Sequence, residues 1–279
     1  MMANKTKTVT IGAYDIVLEK DFDTTLGQIE GAAKYWTDNK HFGPVTIGAD
    51  EYYASCYNFD QRKKTLEVSL SRAYDNLPHI KKGNNLPEPM NLDADQEAVG
   101  VTYLKFYFAK KICLFVSTKD VSIKAPARFI DWNKKILGSG AEKLLEKFTV
   151  QAHLTKDTMD ALNKLEQINR IQLHLADLPN QEANELKKGF SFLGIELPHT
   201  ISFNGTMRYE KGIITKTIIP EIRELLSRKP KTLIVFGSKN KQVNLTNAYF
   251  RKTKKITGNL TVFKAFDLMS EVYKEEFEE

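Results

Sequence analysis

Histidine and cysteine supply most general bases, nucleophiles and metal ligands, so chemistry in this 279-residue chain is sought first among five histidines and two cysteines. His41, His79, His153, His174 and His199 are scattered, and none falls in a HxxE, HxH or HExxH pattern that would turn two ligands toward one metal. His153 and His174 take matching places in the predicted strands FTVQAHL and RIQLHLA, where alternation marks sheet surface rather than a ligand pair. Cys56 and Cys113 are too few for a disulfide framework or a four-cysteine zinc site, and we expect buried, reduced thiols. Gly138-Ser139-Gly140 stops a predicted helix instead of joining a strand to one, so it does not read as a phosphate loop. A metal nuclease wants a carboxylate and a Glu-x-Lys on adjacent strands. Glu185-Leu186-Lys187, following Asp177, is the nearest approach, and it lies in a predicted helix, where side chains two apart diverge. The expectation is therefore no catalytic residue, no metal site and no cofactor, with a metal-dependent nuclease as the enzymatic alternative.

Charge is more informative. Between Leu225 and Phe266 there is no Asp or Glu, and the segment carries Arg228, Lys229, Lys231, Lys239, Lys241, Arg251, Lys252, Lys254, Lys255 and Lys264. These cations outnumber the chain's formal net charge of +6, so everything outside the segment is net acidic. From Asp267 onward the sign reverses, with Glu271, Glu275, Glu276, Glu278 and Glu279 against Lys274 alone. Solubility is served by interspersed signs, whereas a run of cations without acids suits a polyanion, because affinity for nucleic acid grows with the number of phosphates neutralised. The candidate nucleic-acid-binding residues are Arg228, Lys229, Lys231, Lys239, Lys241, Arg251, Lys252, Lys254 and Lys255. Lys239 and Lys241 follow the strand TLIVFG, Arg251–Lys255 end the next extended piece, and a hairpin joining the two would gather them into one patch. Tyr249 and Phe250 stand beside the second group, either to stack on bases or to face the core. No helix-turn-helix, zinc-finger or RNP pattern argues for base-specific readout, so backbone-directed binding of low sequence specificity is expected.

The elements that must position these residues are read from periodicity. Thr8–Leu18 is a predicted strand, followed by a helix from Asp23 or Thr24 to about Asp38. Tyr52–Phe59 and Thr65–Arg72 form a hairpin about Asp60–Lys64; Asp75–Gln96 reads as a long loop; Val99–Ala109 and Ile112–Ser117 form a second hairpin, its first arm apolar on both faces and therefore central. Past Pro126, helices at Ala127–Leu137, Glu142–Lys147, Thr155 to about Gln167, Glu182–Leu193 and Thr217–Ser227 alternate with strands at Phe148–Leu154, Arg170–Leu175, Thr200–Tyr209 and Thr232–Gly237. A final helix over about Thr261–Phe277 aligns Val262, Phe266, Met269, Tyr273 and Phe277 on one stripe. The pattern predicts an α+β protein: a β-rich N-terminal domain with antiparallel hairpins over 1–125, and an α/β domain with the basic segment and terminal helix over 126–279. No apolar run reaches membrane-helix length and the first residues are polar, so a cytoplasmic location is expected.

Within the second half, the succession FTVQAHL, a short helix, RIQLHLADLP, a helix ending KKGFSFLG, TISFNG, a basic helix with SRKPKTLIVFGSKNK, YFRKTKKITG and the amphipathic VFKAFDLMSEVYKEEF resembles the phage exclusion protein RexA family over roughly Phe148–Glu279. The resemblance is one of element order and charge placement. It implies a homodimeric, sequence-tolerant DNA-binding protein without catalysis, the intracellular sensor of an abortive anti-phage system that signals to a membrane-protein effector. No functional residue carries over from it. RNA remains a possible ligand, and an RNA-binding accessory protein is the non-enzymatic alternative.

Overall fold

The computed structural model describes residues 6–18, 41–47, 50–73, 79–80, 88–89, 99–117, 148–175, 203–227, 231–238, 241–246 and 248–278. The helices expected at 24–38, 127–137, 142–147 and 182–193 lie outside these residues, as does the division expected at 125–126. The architecture is α+β and strand-rich. Two compact units divide the chain, Met1–Val150 with Arg251–Glu279, and Gln151–Phe250 between them. The sequence pattern had grouped the last strand and helix with the second half; they belong with the first, because their partners are the first unit's strands.

In the first unit, β1 (Thr6–Leu18), β2 (His41–Ile47), β3 (Asp50–Asp60), β4 (Thr65–Ala73), β7 (Val99–Tyr107), β8 (Ile112–Ser117), β9 (Phe148–Ala152) and β14 (Arg251–Thr257) form one sheet. Its order is β14-β1-β8-β7-β4-β3-β2, with β9 also on β1, and the short strands β5 (His79–Ile80) and β6 (Glu88–Pro89) pair separately. Both expected hairpins are present. Asp60 accepts a hydrogen bond from the Lys63 N–H at 2.9 Å, closing the turn between β3 and β4 as short Asp side chains commonly do. The second hairpin turns through Phe108–Lys110, and Lys111 takes a left-handed conformation at φ 55°. Strand β7 sits between β4 and β8, and the pattern that predicted a central strand holds: Leu104 and Phe106 are buried on one face, while Tyr107 is buried on the other.

Helix α3 (Val262–Glu276) lies on the Tyr107 face. Thr261 caps it, accepting from the Lys264 N–H, and its apolar stripe turns Ala265, Phe266, Leu268, Met269 and Val272 out of water. Phe266 meets the edges of Tyr57 and Tyr103 at centroid distances of 5.6 and 5.9 Å, and Tyr273 stacks on Tyr107 at 3.7 Å. Beneath the helix, the Lys105 ammonium bridges strands to Glu67 at 2.5 Å and donates to Ser270 at 2.8 Å, so a charged pair removed from water is joined by a further hydrogen bond. On the opposite face Gly12 lies under Phe115: a Cβ there would fall 2.3 Å from the ring. Gly12→Ala must displace a buried aromatic, and is expected to lower stability by about 1–3 kcal/mol, read as a shift in denaturant midpoint; an unchanged midpoint would show that the ring yields freely.

The second unit holds α1 (Lys156–Asn163), β10 (Gln167–Leu175), β11 (Phe203–Ile214), α2 (Thr215–Ser227), β12 (Thr232–Gly237) and β13 (Gln242–Asn244), its antiparallel sheet running β11-β10-β12-β13. Thr155 caps α1 as the sequence suggests. The helix ends at Asn163 rather than near Gln167, because Glu166 is left-handed at φ 55° and Gln167 already begins β10. Alternation then divides the sheet. Ile171, Leu173, Leu175, Leu233 and Val235 are buried on one face, while Arg170, Gln172, His174, Ile234 and Phe236 are only half-buried on the other. His174 is thus a sheet-surface residue; β10 is flanked by β11 and β12, and His153 follows another strand, β9.

Candidate nucleic-acid interface

Strand β14 has Thr253, Ile256 and Thr257 as its strand-favouring residues among four cations, and two features hold it in place. It is antiparallel to β1 from Thr6↔Thr257 to Gly12↔Arg251, and alternate residues face α3. Lys252, Lys254 and Ile256 form the inner set, opposite Ile11, Val9 and Lys7; Arg251, Thr253, Lys255 and Thr257 form the outer set, opposite Gly12, Thr10, Thr8 and Thr6. The two sets have different chemistry.

The inner lysines are neutralised. Lys252 reaches Glu276 at 2.5 Å and Glu275 at 3.7 Å, and Lys254 reaches Glu275 at 2.5 Å and Glu271 at 3.7 Å. The hydrogen bond to Glu276 holds the Lys252 ammonium above its ordinary pKa, and the Lys254 hydrogen bond holds the Glu275 carboxyl below its own. These pairs explain the inverted charge of α3, whose acids gather at the end where the helix dipole disfavours them: they answer cations on the neighbouring strand.

The outer set is exposed. Arg251 and Lys255 stand four residues apart on the edge strand, with Thr253 between them and Thr8 and Thr10 alongside, all exposed. No carboxylate occupies the cross-strand positions of this stretch. Lysine on an edge strand also prevents sheet-to-sheet aggregation, a role this strand fills whatever it binds.

The remaining candidates divide as follows. Arg228, Lys229 and Lys239 lie outside the described residues. Lys231 and Lys241 are exposed in the second unit, one just before β12 and one beyond its end, roughly 20 Å apart for a strand of 6 residues. The hairpin expected to join β12 to the Arg251–Lys255 strand does not form: β12 pairs with β10 and β13, and β14 pairs with β1. Tyr249 and Phe250 are each 8% exposed, so their rings belong to packing and do not stack on bases.

Nothing among the described residues brings three His, Cys, Asp or Glu side chains to a metal-sized cluster, and Asp177 and Glu185 fall outside those residues. Both thiols are free; burial pushes Cys56 up to about 11 and Cys113 well above its ordinary value, which leaves neither as a thiolate nucleophile at neutral pH. The sequence reading passed over one further group. Arg170 and Arg208 are directly opposite on β10 and β11, and the Arg170 guanidinium carbon lies 3.7 Å from the Phe236 ring centroid. No family model, curated protein or solved structure matches this chain.

Proposed function

We propose that this is a DNA-binding protein of low sequence specificity, without catalytic activity, whose contact with duplex phosphates is made through the outer face of β14 and β1. The observation that carries the reading is the exposed stripe of Arg251 and Lys255 among threonine hydroxyls on the edge strand. Cations and hydroxyls are the groups that commonly contact phosphate, and such contacts fix position without reading sequence. The biological setting we assign, from the resemblance of the second half to the phage exclusion family, is that of a cytoplasmic, homodimeric sensor in an abortive anti-phage response, with a membrane protein as its effector. Among the described residues no helix is long and apolar enough to cross a membrane.

The test is a salt series. Two phosphate contacts, by Arg251 and Lys255, with Lys252 and Lys254 still paired to their carboxylates, give a slope of log affinity on log salt of about −1.8 on duplex DNA. Arg251→Glu with Lys255→Glu should weaken all duplex sequences alike and flatten that slope by about 2. Salt-independent binding, or a loss confined to one sequence, would refute backbone-directed recognition; tighter binding to RNA duplex than to DNA would favour the RNA-binding alternative.

A further inference from the structure

We propose that the open face of the second unit's sheet is a binding site for single-stranded nucleic acid, which Arg170 and Arg208 hold at a phosphate. The site lies wholly within this unit and does not rest on the β14 face.

The first observation is a pairing that the fold alone does not favour. Residues directly opposite in an antiparallel sheet project on the same face, and like charges placed there repel. Arg170 and Arg208 are such a pair, and neither has an ion-pair partner among the described residues. Arg170 is nevertheless held: its guanidinium carbon sits 3.7 Å from the centre of the Phe236 ring, on the next strand at the directly paired position. A guanidinium placed over an aromatic face gains electrostatic attraction while its N–H edges remain available to an anion. Two such forks converging across neighbouring strands suit one phosphate, whose charge would relieve their repulsion.

The second observation is the surroundings. Asn169, Tyr209, Glu210 and Gly237 complete a groove of about 470 Å³ with the three residues named. Glu210 leaves it at a net charge of only +1, poor for a free anion; it suits a ligand that brings hydrogen-bond donors beside its phosphate, such as the exocyclic amino groups of adenine and cytosine. Farther along the same face Gln172, His174, Asn204, Thr206, Gln242 and Asn244 surround the half-buried Ile234, so polar side chains that both donate and accept border one apolar one. Base edges in a duplex are already paired. An unpaired strand laid on a sheet can offer them, which is how sheet surfaces commonly recognise single strands.

The experiment uses the full chain and a short labelled strand of mixed adenine and cytosine, beside the duplex of the same length. Arg170→Met keeps the stem over Phe236 and removes the charge; Arg208→Gln alters an exposed residue on an outer strand. The two together should weaken single-strand binding about tenfold and flatten its salt slope by about 1.4, two contacts at about 0.7 each, with duplex affinity unchanged within about twofold. Phe236→Leu keeps both charges, so affinity for the single strand should fall about threefold with the slope unchanged, because Phe236 positions Arg170 and carries no charge itself. Single-strand binding at the native level in the double variant, at matched melting temperature, would overturn the proposal; so would an equal loss on duplex and single strand. Arg251→Glu with Lys255→Glu separates the two sites: retained single-strand binding supports this one, even if the native protein proves to ignore duplex DNA.

Discussion

Neutralising the carboxylates of α3, by Glu271→Gln, Glu275→Gln and Glu276→Gln together, is expected to tighten duplex DNA binding about tenfold at low salt. Lys252 and Lys254 lie on the α3 face of β14, opposite the Arg251 and Lys255 stripe, and the three glutamates cancel their charge; without those carboxylates the strand carries an uncompensated positive field that attracts phosphate from a distance. The gain shrinks as salt rises, because exposed charges are screened over a Debye length of about 8 Å at physiological ionic strength. Acid should imitate the substitution, and the sign follows from the shift. The Glu275 carboxyl is held below its ordinary value of 4.5 by the Lys254 hydrogen bond, so the pair persists at neutral pH and opens only as pH falls through that lowered value. Amide replacement should therefore matter at pH 7 and lose its effect only as pH falls through that lowered value. Equal duplex affinity at pH 7 and low salt, in a folded triple variant, would leave these acids as surface charge without a gating role.

A larger effect, on stability, is expected from Phe266→Ala. Phe266 is 5% exposed and lodges between Tyr57 and Tyr103, so deletion removes both the transferred area and two edge-to-face contacts, and the helix cannot settle into the space without lifting Met269 and Val272. Loss of about 3–5 kcal/mol is expected, measured by denaturant unfolding. Phe263, on the same helix but 75% exposed, is the control and should change stability by less than about 0.5 kcal/mol on the same replacement. Comparable losses at the two positions would mean that α3 docks through a different face.

The two hairpins of the first unit and the stripe of α3 were legible in the sequence because each is a local signal: Leu66, Val68 and Leu70 alternate beside a short polar turn, and Phe266 and Met269 recur at helical spacing. The partner of β14 was not legible. Its extended reading was sound, but β1 lies at the far end of the chain, and nothing in RKTKKIT distinguishes β1 from the nearer β12. The same limit hid the charge pairing. The acid-free segment and the acidic tail were both visible, yet alternation alone does not tell which lysines of β14 face a helix and which face water. Arg170 and Arg208 escaped for a related reason: each is a single charge with no run around it, and a register irregularity between Ile168 and Arg170 removes the simple count that would have matched them. In α1, Leu165 continued the helical spacing past the true end, because periodicity does not register a left-handed residue such as Glu166.

The pairing of β1 with β14 also orders events during synthesis. Thr6–Gly12 must wait for Arg251–Thr257, so this stretch of β1 lacks its β14 partner on the ribosome until all of Gln151–Phe250 has been made. Contacts this distant in sequence are slow to form, and an open strand edge is exposed to association with other chains throughout that interval. The second unit has all its described strands and both its described helices by Asn244, so it can mature first. The first unit is closed only when β14 and then α3 emerge. The lysines and the glutamates that answer them thus arrive within one short stretch of translation, and the basic edge is without its acidic counterpart only briefly.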